Sequence, residues 1–299
     1  MILEPSPGPS PETNHSGILV AVMKEVDLRI RRARGLEDYE DCVELQKEVW
    51  GFSEIEDIAT SPLLLIGNEY GGSVLVAETL EGRVIGFAFA MLGRNPGGGL
   101  IWWSHMTGVS TDFQDQGIGL RLKLAQREDA LKNGVSEIWW TFDPLQAVNA
   151  HFNARKLGAV VSQYEENIYG YSSSPLHHGL PTDRLVAVWG LDSQGVVDRT
   201  SGEAPVILRD FDRLPRIIEF DDRGPGSPEL GFAQTPLLLE IPVRFAEILQ
   251  ADRSLALEWQ QKVRTAFLHY FEAGYLVTDF MIVHTPEPHA LYVLEKPDN

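Results

Sequence analysis

The stretch Val109-Ser-Thr-Asp-Phe-Gln114-Asp-Gln116-Gly117-Ile-Gly119-Leu-Arg121 decides how this chain is read. On its N-terminal side, Leu100–Val109 is rich in β-formers and dense in tryptophan, which predicts a strand. On its C-terminal side, Ile118, Leu122 and Ala125, with Leu120, Leu124 and Leu131, form a broad apolar face that predicts a helix stopping at Asn133-Gly134. Arg121, Lys123, Arg127, Glu128 and Asp129 are expected on its outer side. Gly117 and Gly119, two residues apart at the join, let the chain turn tightly and bring its backbone close to a ligand. The first turn of a helix presents unpaired N–H groups and the positive end of its dipole, so this join suits a pyrophosphate. It is not a Walker loop, because no Gly-Lys-Ser/Thr follows, and Leu122 stands where a dinucleotide fingerprint needs Gly or Ala.

Working outward, Val26–Arg31 alternates with period two and predicts a strand, followed by an amphipathic helix over Leu36–Trp50. Val74–Glu78 and Val84–Leu92, joined by Glu81-Gly82, predict a hairpin. After the central helix come a strand at Glu137–Phe142, a helix over Leu145–Lys156 ending at Leu157-Gly158, and strands at Val160–Tyr169 and Leu185–Leu191. This is a mixed α/β order, not a strict βαβ repeat. Composition loosens from Asp192 to Thr235. Beyond it, a strand (Leu237–Ile241), a long helix (Ser254–Ala273) and two strands (Tyr275–Val283, Ala290–Leu294) are predicted, either extending the main sheet or forming a lid. The expected division is a disordered tail over 1–25, a catalytic domain over 26–191, loops over 192–235 and a C-terminal α/β segment over 236–299; Met23 is a candidate start.

The Gln-x-x-Gly-x-Gly string after the fourth strand of a β-α-α-β-β-β series, the helix behind it, and the downstream Asn149…Lys156-Leu-Gly158 resemble the GNAT superfamily of acyl-CoA-dependent N-acyltransferases. The resemblance covers Val26–Leu191 as an element order and is specific over Val109–Arg121. It implies a mixed, mostly antiparallel sheet flanked by helices, and acetyl-CoA or another acyl-CoA as co-substrate. It further implies that Gln114, Gln116, Gly117, Ile118, Gly119, Leu120 and Arg121 cradle the CoA pyrophosphate. Thr107, Gly108 and Val109 would bond the pantetheine arm through main-chain atoms, and Asn149 would touch that arm from the far side. The implied reaction is direct attack of a primary amine on the thioester, with an oxyanion donor near Val109.

The family's usual tyrosine, two residues before Lys-Leu-Gly, is Ala154 here. Tyr164, Tyr169 or Tyr171 are candidate acids in its place, or the thiolate leaves unprotonated. His105 is the first candidate base, since strict alternation puts it on one face with Thr107 and Val109; Glu78 and Asp143 come after it. The missing tyrosine also permits an alternative, a non-catalytic acyl-CoA-binding regulatory module. Trp102-Trp103 and Trp139-Trp140 read as sheet packing, with one of each pair a candidate wall of an acceptor pocket.

The 299 residues carry 25 Lys+Arg against 43 Asp+Glu, a net charge of −18, which argues against nucleic acid or anionic membrane as partners. The expected acceptor is a small-molecule amine, an amino acid by preference, with Arg29, Arg31 or Arg94 on its carboxylate. A homodimer is compatible with the sequence. A single cysteine, Cys42, rules out an internal disulfide framework and reads as a small buried hydrophobe. His177-His178 has no partner at metal-ligand spacing, so no metal is expected. With no apolar run of membrane-spanning length and no signal peptide, the expected compartment is the cytoplasm.

Overall fold

A computed structural model describes residues 27–170, 174, 179–202, 211–221, 224–283 and 288–297. The expected tail, Tyr171 and His177-His178 lie outside the described residues. In chain order, β1 (Leu28–Arg32), α1 (Gly35–Trp50), α2 (Ser61–Glu69), β2 (Ser73–Thr79), β3 (Val84–Arg94) and β4 (Leu100–Val109) precede the helix α3 (Ile118–Lys132). There follow β5 (Glu137–Phe142), α4 (Ala147–Ala150), β6 (Val160–Glu165), β7 (Arg184–Gly190) and α5 (Gln194–Thr200). The short β8 (Phe220–Asp221) and β9 (Gly224–Pro225) pair with each other. The chain closes with β10 (Leu237–Ile241), α6 (Phe245–Ala251), α7 (Arg253–Glu272), β11 (Leu276–Val283) and β12 (His289–Glu295).

The C-terminal strands extend the main sheet. One sheet of ten strands runs β1-β2-β3-β4-β5-β7-β6-β11-β12-β10, antiparallel throughout except for the parallel β4–β5 pair. Thus the expected α/β class, a mixed and mostly antiparallel sheet flanked by helices, is the one observed. α1 and α2 cover one face, where Tyr39, Cys42 and Leu64 pack on Val74, Val76, Phe87, Phe89 and Met106. α3 covers the opposite face through Ile118 and Leu122, which meet Leu75, Ala77 and Ala88. A larger core on the α3 side runs without a break from Trp102, Trp140 and Trp189 to Trp259, Phe267 and Tyr292, so the C-terminal segment shares its interior with the middle of the sheet.

Local chemistry sets the ends of these elements. α1 stops at Gly51, whose φ of 65° closes the last turn in the left-handed region. The helix expected over Leu145–Lys156 is α4 followed by a π-helical turn at His151–Lys156, in which Leu157 N–H reaches back to Phe152 O. That widening holds Asn153 Oδ1 against Trp140 Nε1 at 3.1 Å. No helix among the described residues is long and apolar enough to cross a membrane.

Candidate functional site

β4 and β5 touch at only two rungs, Trp102 with Ile138 and Trp103 with Trp139. Beyond them the strands part into a fork: β4 goes on pairing with β3 as far as Val109, and β5 with β7 as far as Phe142. Among the described residues, the edge of β4 that faces the fork is therefore left without a ladder partner from Ser104 onward. A β-bulge lies at the vertex, where Phe89 pairs with Met106 and Ala90 with Ser104, so His105 is the extra residue.

The bulge corrects one expectation. Strict alternation puts His105 with Thr107 and Val109, but the inserted residue shifts the pattern. Ser104 faces α3, Met106 faces α1 and α2, and Val109 returns to the α3 side. The His105 ring packs edge-on against Phe89, on the α1/α2 face, at 6.0 Å between ring centres. It is exposed to solvent yet crowded by that packing, and the lost hydration holds its pKa below the ordinary imidazole value. It is thus a neutral acceptor of protons at neutral pH.

At its C-terminal end the fork meets the start of α3. Ser110 N–H closes onto Ile85 O, and Glu48 on α1 takes both the N–H and the hydroxyl of Thr111, at 2.8 and 3.0 Å. Those bonds hold the Glu48 carboxyl below its usual range. The chain then turns through Asp115 (φ 59°) and Gly117 (φ 75°) into the helix. Gly117 is the N-cap residue, so no side chain caps the first turn. Apart from its own chain neighbours and local helix backbone, a Cβ built on Gly117 or Gly119 would meet no described atom within 4 Å, so the missing side chains leave open space here. Gln114 and Gln116 fold back onto Val109 O (3.2 Å) and Asp112 O (3.3 Å), and Arg121 donates to Leu28 O at 3.1 Å. Ile118 is buried, with Gly119 and Leu120 half-buried behind the loop.

On the α1/α2 face the walls of the fork are aromatic. Trp103 and Trp139, opposite each other across the last rung, are half-buried, whereas Trp102 and Trp140 are buried on the α3 side. Tyr169 is exposed and its hydroxyl shares a hydrogen with Thr141 Oγ1 at 2.7 Å, while the Arg184 guanidinium lies over its ring at 5.6 Å. Asn149 is exposed on α4.

Other expected roles are not available in this geometry. The Tyr164 hydroxyl is enclosed, donating to Asp183 Oδ2 at 2.7 Å, and burial raises its pKa, so it is no acid for a departing thiolate. Glu78 grips Arg31 and Arg29, which lower its carboxyl to about 2, too weak a base near neutrality. The same pairs occupy Arg29 and Arg31 on the far edge of the sheet, away from the fork, so they do not serve an acceptor carboxylate. Burial instead pushes the Asp143 carboxyl up while Leu145 N–H donates to it. Ala154 is fully buried, so the position of the usual tyrosine is part of the core.

The basic side chains of α3 and of the π-helical turn do not gather at the helix start. Arg127 donates to Leu191 O, and Arg155 pairs with Asp279. Lys123 is not on the outer side of its helix: it is 3% exposed, under the fork, against Trp140. No periodicity signals this, because the indoles that enclose it come from strands far along the chain. Among the described residues no cluster of His, Cys, Asp or Glu could hold a metal ion.

No family model matches the chain, and no curated protein matches it. Among solved structures, it is similar to the ribosomal-protein-S18-alanine N-acetyltransferase from Escherichia coli, at 14% identity and TM-score 0.44 over 56% of this chain and 95% of that one. It is likewise similar to an acetyltransferase of the GNAT family from Streptococcus pneumoniae, at 18% identity and TM-score 0.43 over 54% and 98%. A third match is a chain of the NatC complex bound to Gag peptide and CoA, at 12% identity and TM-score 0.45 over 55% and 99%.

Proposed function

We propose that this chain is an acyl-CoA-dependent N-acyltransferase that moves an acyl group, acetyl or larger such as succinyl, to the primary amine of a small molecule. One observation carries the reading. The unpaired edge of β4 leads straight into a helix start that has no side-chain cap and open space at both glycines. In this reading the N–H groups from Gln116 to Leu120 take the pyrophosphate, with Gln114 completing the loop, while the Arg121 N–H is already bonded to Gly117 O and holds the first turn. Thr107, Gly108 and Val109 offer main-chain atoms to the pantetheine arm, and Asn149 approaches it from α4. The thioester then lies near the vertex, and the acceptor enters from the α1/α2 face between Trp103 and Trp139.

His105 removes the proton from the attacking ammonium, and a backbone N–H near Val109 stabilises the oxyanion. Among the described residues, Tyr169 is the exposed phenol at the fork, and in this reading it protonates the thiolate. An amino acid is the favoured acceptor class, now without Arg29 and Arg31 as its clamp. The buried Ala154 favours the second reading, an acyl-CoA-binding regulatory module without turnover.

Thiol release from acetyl-CoA and succinyl-CoA over a panel of small amines separates the two. Release above background with at least one amine is the expected result. Background release over the whole panel, with CoA bound, leaves the regulatory module.

A further inference from the structure

The vertex of the fork has a floor. Ser104 and Trp140 are the first residues past the last shared rung, and Lys123 on α3 reaches both from below. Its Nζ lies 3.2 Å from Ser104 Oγ and 3.9 Å from the centre of the Trp140 ring, with Trp189 at 5.5 Å. It also donates to Gln126 Oε1 at 2.8 Å, and Ser104 Oγ donates to the same oxygen at 3.1 Å. A buried ammonium without a carboxylate is costly. Methionine would fill the same space without that cost. What the amine adds is a bond to the strand whose course defines the fork.

We propose that Lys123 is a positioning residue for acyl transfer: from the α3 side its amine fastens Ser104 at the vertex, and so sets the bulge that sends His105 to one face and Thr107 and Val109 to the other. This rests on the transfer site described above.

The groups that face the amine from β4, β5, β7 and its own helix are Ser104, Trp140, Trp189 and Gln126, none of which ionises near neutrality. Burial alone therefore governs it, lowering its pKa from the ordinary 10.5 to about 7. Gln126 Nε2 is buried without a partner in the arrangement where Oε1 accepts from Lys123. Once the amine loses its proton it gains a lone pair, and a Gln126 amide turned end for end would supply Nε2 with that acceptor. The network thus has one hydrogen-bonded arrangement for each protonation state, and the strand above it is tied to both.

The test is a pH titration of backbone amides by NMR, joined to thiol-release kinetics. The Thr107 amide should move with a midpoint near 7 in the wild type and in His105→Ala, and stand still in Lys123→Met. Gln126→Glu sets a carboxylate beside the amine and should carry that midpoint up by roughly one pH unit or more. In the kinetics, Lys123→Met should lower kcat by about tenfold while CoA affinity stays at the wild-type value. A Thr107 amide indifferent to Lys123, or a wild-type kcat in Lys123→Met, overturns the proposal. Should Lys123→Met fail to fold, an unmoved midpoint in Gln126→Glu overturns it equally. A wild type that binds no CoA sinks the transfer site itself, and the Thr107 titration still decides whether Lys123 governs β4.

Discussion

The sheet has two thin seams, and they are finished in opposite ways. β4 and β5 share two rungs, while β6 and β11 share one, Val161 with Val277. At the second seam the chain fills the gap with its own side chains. Tyr164 stacks on Phe267, Asp183 accepts from Nε and Nη2 of Arg264, Arg155 meets Asp279, and the Tyr292 hydroxyl reaches Pro144 O. At the first, the strands part, β4 keeps β3 as its ladder partner, and the loop after it ends in a glycine at an uncapped helix start. Sparse pairing therefore does not by itself mark a site. A seam plugged by aromatic rings and ion pairs is a joint between two parts of one core. A seam whose backbone edges and helix N–H groups stay available has chemistry left over for a ligand.

The largest effect should come from breaking the plugged seam. The Asp183 side chain is fully buried, and among the described residues Asp183→Asn leaves Arg264 with the half-exposed Glu166 as its counter-charge. Unfolding in urea should show a loss of about 3 kcal/mol, since removing one partner of a buried pair strands the other. CoA binding by the remaining folded protein should be unchanged. Loss of CoA affinity without loss of stability would mean that the two seams are not independent.

At the open seam, His105→Ala should leave stability nearly intact and slow transfer at neutral pH by roughly a hundredfold. Because the His105 pKa is lowered, the wild-type rate should hold steady to below the ordinary imidazole value of 6.5 and fall only as the ring gains its proton. A pH–rate profile measures this; the acid limb disappears in the variant. An acid limb that persists in His105→Ala assigns the base to another group.

The central loop was legible in the sequence, because glycine spacing and the switch from strand to helix are local signals. The C-terminal strand at Leu237–Ile241 and the long helix were legible for the same reason, each carrying an uninterrupted pattern. The bulge at His105 was not. A period-two reading assumes that no residue is inserted, and the insertion shows only in the register against β3. Lys123 was hidden differently: a charge on a helix reads as solvent-facing until Trp140 and Trp189 close over it. The join of β11 to β6 depends on one backbone rung and on ion pairs between residues over a hundred positions apart, such as Arg155 with Asp279, and local pattern carries none of that.

The most direct measurement is calorimetric titration of CoA into the wild type and into Gly119→Ala, with the melting temperature of each. Beyond its own stretch of helix the added methyl meets no described atom within 4 Å, so it should leave the fold as stable as before. It would stand where, in the proposed function, a pyrophosphate approaches the backbone. Saturable binding to the wild type, weakened by about tenfold in the variant at an unchanged melting temperature, is the predicted result. Equal affinity in the two proteins, or no binding of CoA to the wild type, would contradict it.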